Sequence, residues 1–213
     1  MTSRQWGPID PNPPPLLLAS GSPRRRELLA RLGVRFTIHS PDIDERPQPD
    51  EDPVAYVERL ARLKARVVST MWARKPDQIV LAADTTVALS GAILGKPEDA
   101  AEAGVMLRAL SGRTHHVHTA IAVCPPAGPM ASSVTTTAVT FRDLSRDEIA
   151  EYVATGDPLD KAGGYGIQGD AGRFVARVDG SLSNVVGLPM AQTAALLADA
   201  GLVTVAWGPP RPD

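Results

Sequence analysis

Cysteine is nearly absent: among 213 residues only Cys124 carries a thiol. That excludes an intrachain disulfide and fits a reducing compartment. Charge of neither sign is in excess. The formal net charge is −2, so nothing indicates a nucleic-acid or membrane-surface binder, and any positive charge that matters must be local. No apolar run approaches the length of a membrane span. The opening MTSRQWGPIDPNPPP is polar and proline-rich and lacks the apolar core of a signal peptide, so a cytoplasmic protein is expected. There is no internal repeat, and no glycine-rich loop ends in Gly-Lys-Ser/Thr. What remains is ordinary: 43% hydrophobic and 22% charged residues, at a length that suits one domain or two lobes sharing a cleft. Residues 1–15 and 207–213 are expected to be flexible ends around a domain at 16–206.

The most informative stretch is LLLASGSPRR at 16–25. A short apolar run enters Ser20-Gly21-Ser22, then Pro23 and two arginines, which predicts a buried strand, a tight turn and a helix beginning at Pro23. Ser22 is suited to cap that helix and Pro23 to its first position. Free N–H groups and the positive dipole end at a helix start favour a phosphate. Arg24 and Arg25 add planar cationic donors there, although the dipole alone prefers acids at that place. A Ser-capped corner with solvated arginines has the same pattern.

The rest of the chain alternates helix and strand. A helix is predicted at 23–32 with Gly33 beyond its end, then a strand at 34–40. Asp42, Asp44 and Glu45 stand in a proline-flanked loop, either simply solvated or supplied to hold a divalent cation opposite a phosphate. The clearest helix is 53–71, with Val54, Val57, Leu60, Leu63, Val67, Val68 and Met71 at helical spacing. Lys64 falls inside that apolar stripe, so it must snorkel out or meet a negative partner. The near-continuous apolar run 78–83 reads as a strand covered on both faces, ending at Asp84-Thr85-Thr86. A carboxylate at the carboxyl end of such a strand stands where open α/β sheets bind ligands, or it caps nearby backbone.

A hairpin is predicted from 87–89 through Ser90-Gly91 to 93–94, then Gly95-Lys96-Pro97, with Lys96 extended ahead of the proline, and a helix at 98–110. Two antiparallel strands are read at 115–123 and 130–141. His116 and His118 share a face there, without the cysteines or acids a metal site needs. A short helix at 146–155 leads to the segment DPLDKAGGYGIQG at 157–169, where four glycines in seven positions prevent regular structure and Lys161, Tyr165 and Gln168 supply a charge, a ring and an amide. It reads as a recognition loop. Residues 180–188 are expected to form a turn and short strand, and 189–200 the last helix.

Ser20-Gly21-Ser22-Pro23-Arg24-Arg25, Ala83-Asp84-Thr85, Gly95-Lys96-Pro97, Ser111-Gly112 and Asp160-Lys161-Ala162-Gly163-Gly164-Tyr165-Gly166-Ile167-Gln168-Gly169 together resemble the Maf family. Its members are nucleoside triphosphate pyrophosphatases, first linked to septum formation. The form of the late loop resembles the branch acting on dTTP and UTP rather than the one acting on 7-methyl-GTP. The resemblance implies an α/β, two-lobed, inosine-triphosphatase-like fold around a long mixed β-sheet, with flanking helices and a central cleft. It also implies hydrolysis at the α-phosphorus to a monophosphate and pyrophosphate, with a divalent metal cation, Mg²⁺ or Mn²⁺.

Family roles carry over to matching positions only. Asp84 becomes the proton acceptor; Arg24, Thr85 and Gln168 are linked to substrate choice. Ser20, Arg25, Glu45, Lys64, Lys96 and Lys161 match further polar positions of the site. The mechanism expected from these is a triphosphate held by the 20–22 turn, Arg24, Arg25, Lys64 and Lys96, and a metal held by Asp84 and Glu45. Asp84 would orient or deprotonate water, and Gln168 would read a pyrimidine edge. The expected partner is a nucleoside triphosphate, with no nucleic acid and no membrane, and a homodimer is compatible. Two rivals stand beside this: a purine-preferring house-cleaning pyrophosphatase, and a nucleotide-binding regulator of cell division.

Overall fold

In the computed structural model, described over residues 15–71 and 77–202, one seven-stranded mixed sheet runs through the molecule. Its centre is built from sequence that leaves little choice. β1 (Leu16–Ala19) is an unbroken apolar run, and each of its residues is at most 1% exposed. Burying each leucine is worth roughly 1.5–3 kcal/mol, which fixes this strand between two layers. It pairs in parallel with β2 (Phe36–Ile38) on one side and β3 (Ile79–Leu89) on the other. β3 continues into β4 (Ala92–Leu94) through Ser90 and Gly91, both at positive φ (52° and 85°), the conformation a two-residue hairpin turn demands. The remaining pairings are antiparallel: β3 with β5 (Thr114–Cys124), β5 with β6 (Ala131–Phe141), and β6 with β7 (Val175–Asp179).

Helices cover both faces. α2 (Pro53–Met71) packs against one face over Leu17, Ala19, Val80, Ala82, Ala120 and Ala122. α1 (Pro23–Ala30) and α6 (Met190–Asp199) cover the other face, over Leu16, Leu18, Ile79, Leu81 and Ile121. At the far end of the long strands, α3 (Ala100–Leu110) and α4 (Arg146–Ala154) close a third core around Val87, Val117, Val139, Phe141 and Phe174. α5 (Leu182–Val186) lies between, and three short 3₁₀ turns (Asp157–Asp160, Ala162–Gly164 and Asp170–Phe174) carry the chain across the sheet end.

The expected α/β architecture with a long mixed sheet is therefore present, with local differences. Residues 182–186 are helical rather than a strand, because Ser181 accepts from Asn184 N as an N-cap and Gly187 ends the turn at φ 117°. β7 carries no clear alternation in VARVD and was not expected. The inner face of α2 is turned from the expected stripe: Ala61 and Ala65 are buried, while Val54 and Met71 are exposed. Alanine lets the helix approach the sheet closely, so small residues carry the contact. The expected flexible ends at 1–14 and 207–213 lie outside the described residues. Among those residues, no helix is long and apolar enough to cross a membrane.

Candidate active site

The cleft forms where the sheet edge is interrupted. β1 stops at Ala19, opposite Ala82, and antiparallel β4 reaches only as far as Val87, opposite its last residue Leu94, so positions 83–86 of β3 have no neighbour on that side. Asp84 is thus not at the end of its strand, as its sequence suggested. It stands in the middle of an 11-residue strand, just beyond the carboxyl end of the parallel strand β1. Side chains alternate along a strand, so Asp84 joins Val80 and Ala82 on the α2 face, while Thr85 faces α1 and α5. An uncovered edge lets one cleft, about 980 Å³, draw on both.

On the α2 side, Lys64 meets two negative partners. Its Nζ lies 2.6 Å from Asp84 Oδ1 and 2.6 Å from Glu45 Oε1, with its side chain 10% exposed. Its place in the apolar stripe is thereby explained: the carboxylates meet it at the sheet. Burial pushes the Asp84 carboxyl above its usual range, outweighing the opposing charges of Lys64 and Arg25. Glu45 is more exposed. Burial raises it too, but the Lys64 hydrogen bond and charge, with Lys96 and Arg25, carry it below the usual range. Tyr56 donates from its hydroxyl to the Glu45 carbonyl at 2.9 Å and so fixes the acidic loop; its own phenol is pushed up to about 12 by burial and the Asp84 and Glu45 charges. Of the three acids in that loop only Glu45 reaches the cleft. Asp44 is paired with Arg46 at the surface, and Asp42 is exposed.

On the other side, Ser22 caps α1 as expected, accepting from Arg25 N at 3.4 Å. The Arg25 guanidinium is held at three corners: Nε donates to the Gly187 carbonyl (2.9 Å), Nη1 to Ser20 Oγ (3.1 Å) and Nη2 to Thr85 Oγ1 (3.0 Å). Burial pulls it below its ordinary value, while Asp84 and Glu45 push it back up. Thr85 leans on Thr119 (2.9 Å), which donates to the Asn184 carbonyl (2.9 Å), and Asn184 is fully buried. Gly187, Thr119, Asn184 and Tyr56 were not singled out in the sequence. The first three act through carbonyl or hydroxyl contacts across the fold, which sequence spacing does not display.

Arg24, Lys96 and Gln168 line the cleft, Lys96 and Gln168 on its exposed rim. Lys161 lines it too, but its ammonium is held by Asp157 and Asp160. Tyr165 lines the cleft and is held from behind. Its ring is 6% exposed, edge-on to His115 and Phe141, and its hydroxyl meets His115 Nε2 at 2.7 Å. The loop's ring lines the cleft and also anchors the loop to the core. His118 is bonded to Thr136 (2.8 Å) and stacks on His116, as satisfied histidines do.

Among the described residues no group of three or more His, Cys, Asp or Glu side chains converges as a metal site. Two carboxylates do converge, and Lys64 occupies only one oxygen of each. That donor set is too small for a tightly held resident ion. It suits Mg²⁺ or Mn²⁺, which bind through one or two carboxylates and complete their shell with substrate phosphates and water.

Comparison with known proteins gives one consistent answer. A sequence model described as "Maf-like protein" matches residues 15–200. Among curated relatives, a dTTP/UTP pyrophosphatase of Myxococcus xanthus is 57% identical over 188 residues, 88% of this chain and 93% of that protein. One of Anaeromyxobacter dehalogenans is 55% identical over 191 residues (88% and 95%), and one of Moorella thermoacetica is 53% identical over 194 residues (91% and 97%).

Proposed function

Since the chain belongs to the Maf-like protein family, we propose that it hydrolyses dTTP and UTP to the monophosphate and pyrophosphate in this cleft. The observation that carries the proposal is the facing of two unlike walls across the uncovered edge of β3. One is a fixed cationic wall, Arg25 on Ser20, Thr85 and Gly187; the other is a pair of carboxylates, buried Asp84 and exposed Glu45, joined through Lys64. A site that only bound an anion would have no use for the second wall.

In the reaction, water attacks the α-phosphorus, the α–β anhydride bond breaks, and pyrophosphate leaves with the bonding electron pair. Arg25 presents two nitrogens in a set direction and Arg24 and Lys96 add positive charge, so the triphosphate is positioned and its developing charge screened; in phosphoryl chemistry such terms dominate. Asp84 accepts the water proton. Lys64 keeps Asp84 in place. Asp84 and Glu45 would hold a divalent cation, which when bound neutralises phosphate charge and acidifies water. Gln168, on the rim, reads the base edge, and the relatives' printed substrates favour uracil and thymine.

The test is a panel of nucleoside triphosphates with Mg²⁺, with pyrophosphate and orthophosphate separated. Fastest release of pyrophosphate from dTTP or UTP, abolished by EDTA, is the expected result. Orthophosphate as first product, or preference for purines, would overturn the reaction or the base assignment respectively.

A further inference from the structure

Lys161 matches a position of the binding site by resemblance, yet its ammonium has no donor to offer. Nζ donates to the Asp157 carbonyl (2.6 Å), Asp157 Oδ1 (2.9 Å) and Asp160 Oδ1 (2.6 Å), which uses the three hydrogens an ammonium has. Its side chain is 11% exposed, and its stem lies against Gly166, where a Cβ would come within 2.6 Å of Lys161 Cε. The second oxygen of Asp157 accepts from the Tyr152 hydroxyl at 2.8 Å, and that hydroxyl accepts from Gly166 N at 3.3 Å. Tyr152 is 1% exposed on α4. One carboxylate therefore ties the segment from 157 to 166 into a ring and fastens the ring to a helix. Glycines at 163, 164, 166 and 169 give the segment no stiffness of its own. Beyond its short 3₁₀ turns and the bond from Gly163 N to the Gly95 carbonyl (2.9 Å), its shape comes from these ties and from Tyr165 on His115. Gln168 stands two residues past the ring, exposed at the cleft.

We propose that Lys161, Asp157 and Tyr152 are positioning residues that set the place of Gln168, and that Lys161 acts on the nucleotide through the loop rather than by gripping phosphate. This rests on the reading of the cleft as a nucleoside triphosphate site. A lysine that gripped the triphosphate would have to leave three acceptors, two of them carboxylate oxygens, stranding Asp157 against Tyr152.

The test compares wild type with Lys161→Ala, Asp157→Ala and the double variant. Two readouts are used: dTTP turnover, and inhibition by tripolyphosphate, an anion without a base. Each single variant is expected to raise KM for dTTP about tenfold, the loss typical of a hydrogen bond to a charged group. The double variant should be no worse than the worse single, and tripolyphosphate inhibition should be equal in all four proteins. Tyr152→Phe should move KM in the same direction. Weaker tripolyphosphate inhibition in Lys161→Ala but not in Asp157→Ala would overturn the proposal, as would additive losses in the double variant. Amide exchange of Gly166 without ligand separates this from the nucleotide reading. Faster exchange in Asp157→Ala and Tyr152→Phe is expected, and unchanged exchange would overturn the clasp whatever the activity. Faster exchange in a protein whose wild type hydrolyses no nucleotide would overturn the nucleotide reading and support the clasp.

Discussion

Replacing Lys64 with methionine keeps its aliphatic reach and removes the ammonium that bridges Asp84 and Glu45. The two glutamate and aspartate partners respond differently, because the Glu45 side chain is 47% exposed and the Asp84 side chain 9%. Glu45 can turn to solvent, so its pairing contributes little. Asp84 cannot. Removing one partner of a buried pair strands the other charge and costs about 3–5 kcal/mol. The sign with pH follows from the direction of the Asp84 shift, which burial already places above its unfolded value. Between the two values the folded state binds more protons than the unfolded state, so this group lowers stability as pH rises through that window. Without Lys64 the folded value climbs further, the window widens upward, and each added pKa unit costs about 1.4 kcal/mol at its alkaline end. Urea unfolding in EDTA-containing buffer at about pH 8 and about pH 5 measures this. The deficit of Lys64→Met relative to wild type should be full at the higher pH and shrink in acid, and Lys64→Met/Asp84→Asn should recover most of it. A deficit that is equal at both pH values, or larger in acid, or untouched by the second substitution, would refute the stranded-charge argument.

Three further outcomes are expected. Asp84→Asn keeps shape but cannot accept a proton, so pyrophosphate release should fall by about 10²–10⁴-fold while the protein remains folded by circular dichroism. Arg25→Lys keeps the charge but a point ammonium cannot serve Gly187, Ser20 and Thr85 in one plane; KM for dTTP should rise about tenfold in steady-state kinetics. Gly163→Ala places a Cβ 2.9 Å from Val87 Cβ at a φ of 69°, and should destabilise by about 1–3 kcal/mol in thermal melts, with the melting point moving down.

Much of the site was legible in the sequence because its residues break local rules. Two arginines at a helix start, a lysine inside an apolar stripe and an aspartate after a buried run are each out of place for folding alone. The structure gives Arg25 and Lys64 partners that suit those positions. Asp84 draws attention for a partly wrong reason: its strand continues to Leu89, and the neighbouring strand is the one that ends. That gap is a property of pairing, and no local pattern records it. The same holds for Gly187, whose contribution is a backbone carbonyl, and for the packing of the Tyr165 ring on His115 and Phe141. α5 and β7 have five residues each, too few for a period to declare itself.

The hold of Gly187 on Arg25 joins positions 162 residues apart, and that of Asn184 on Thr119 spans 65. The hairpins β3–β4 and β5–β6 close within short stretches of chain and can form early during synthesis. The third corner of the guanidinium at the cleft cannot be fixed until Gly187, just past α5, has left the ribosome. The sheet is thus an early product of translation and hydrolytic competence a late one. A chain ending before α5 would contain every strand yet hold Arg25 by only two of its three corners, Ser20 and Thr85.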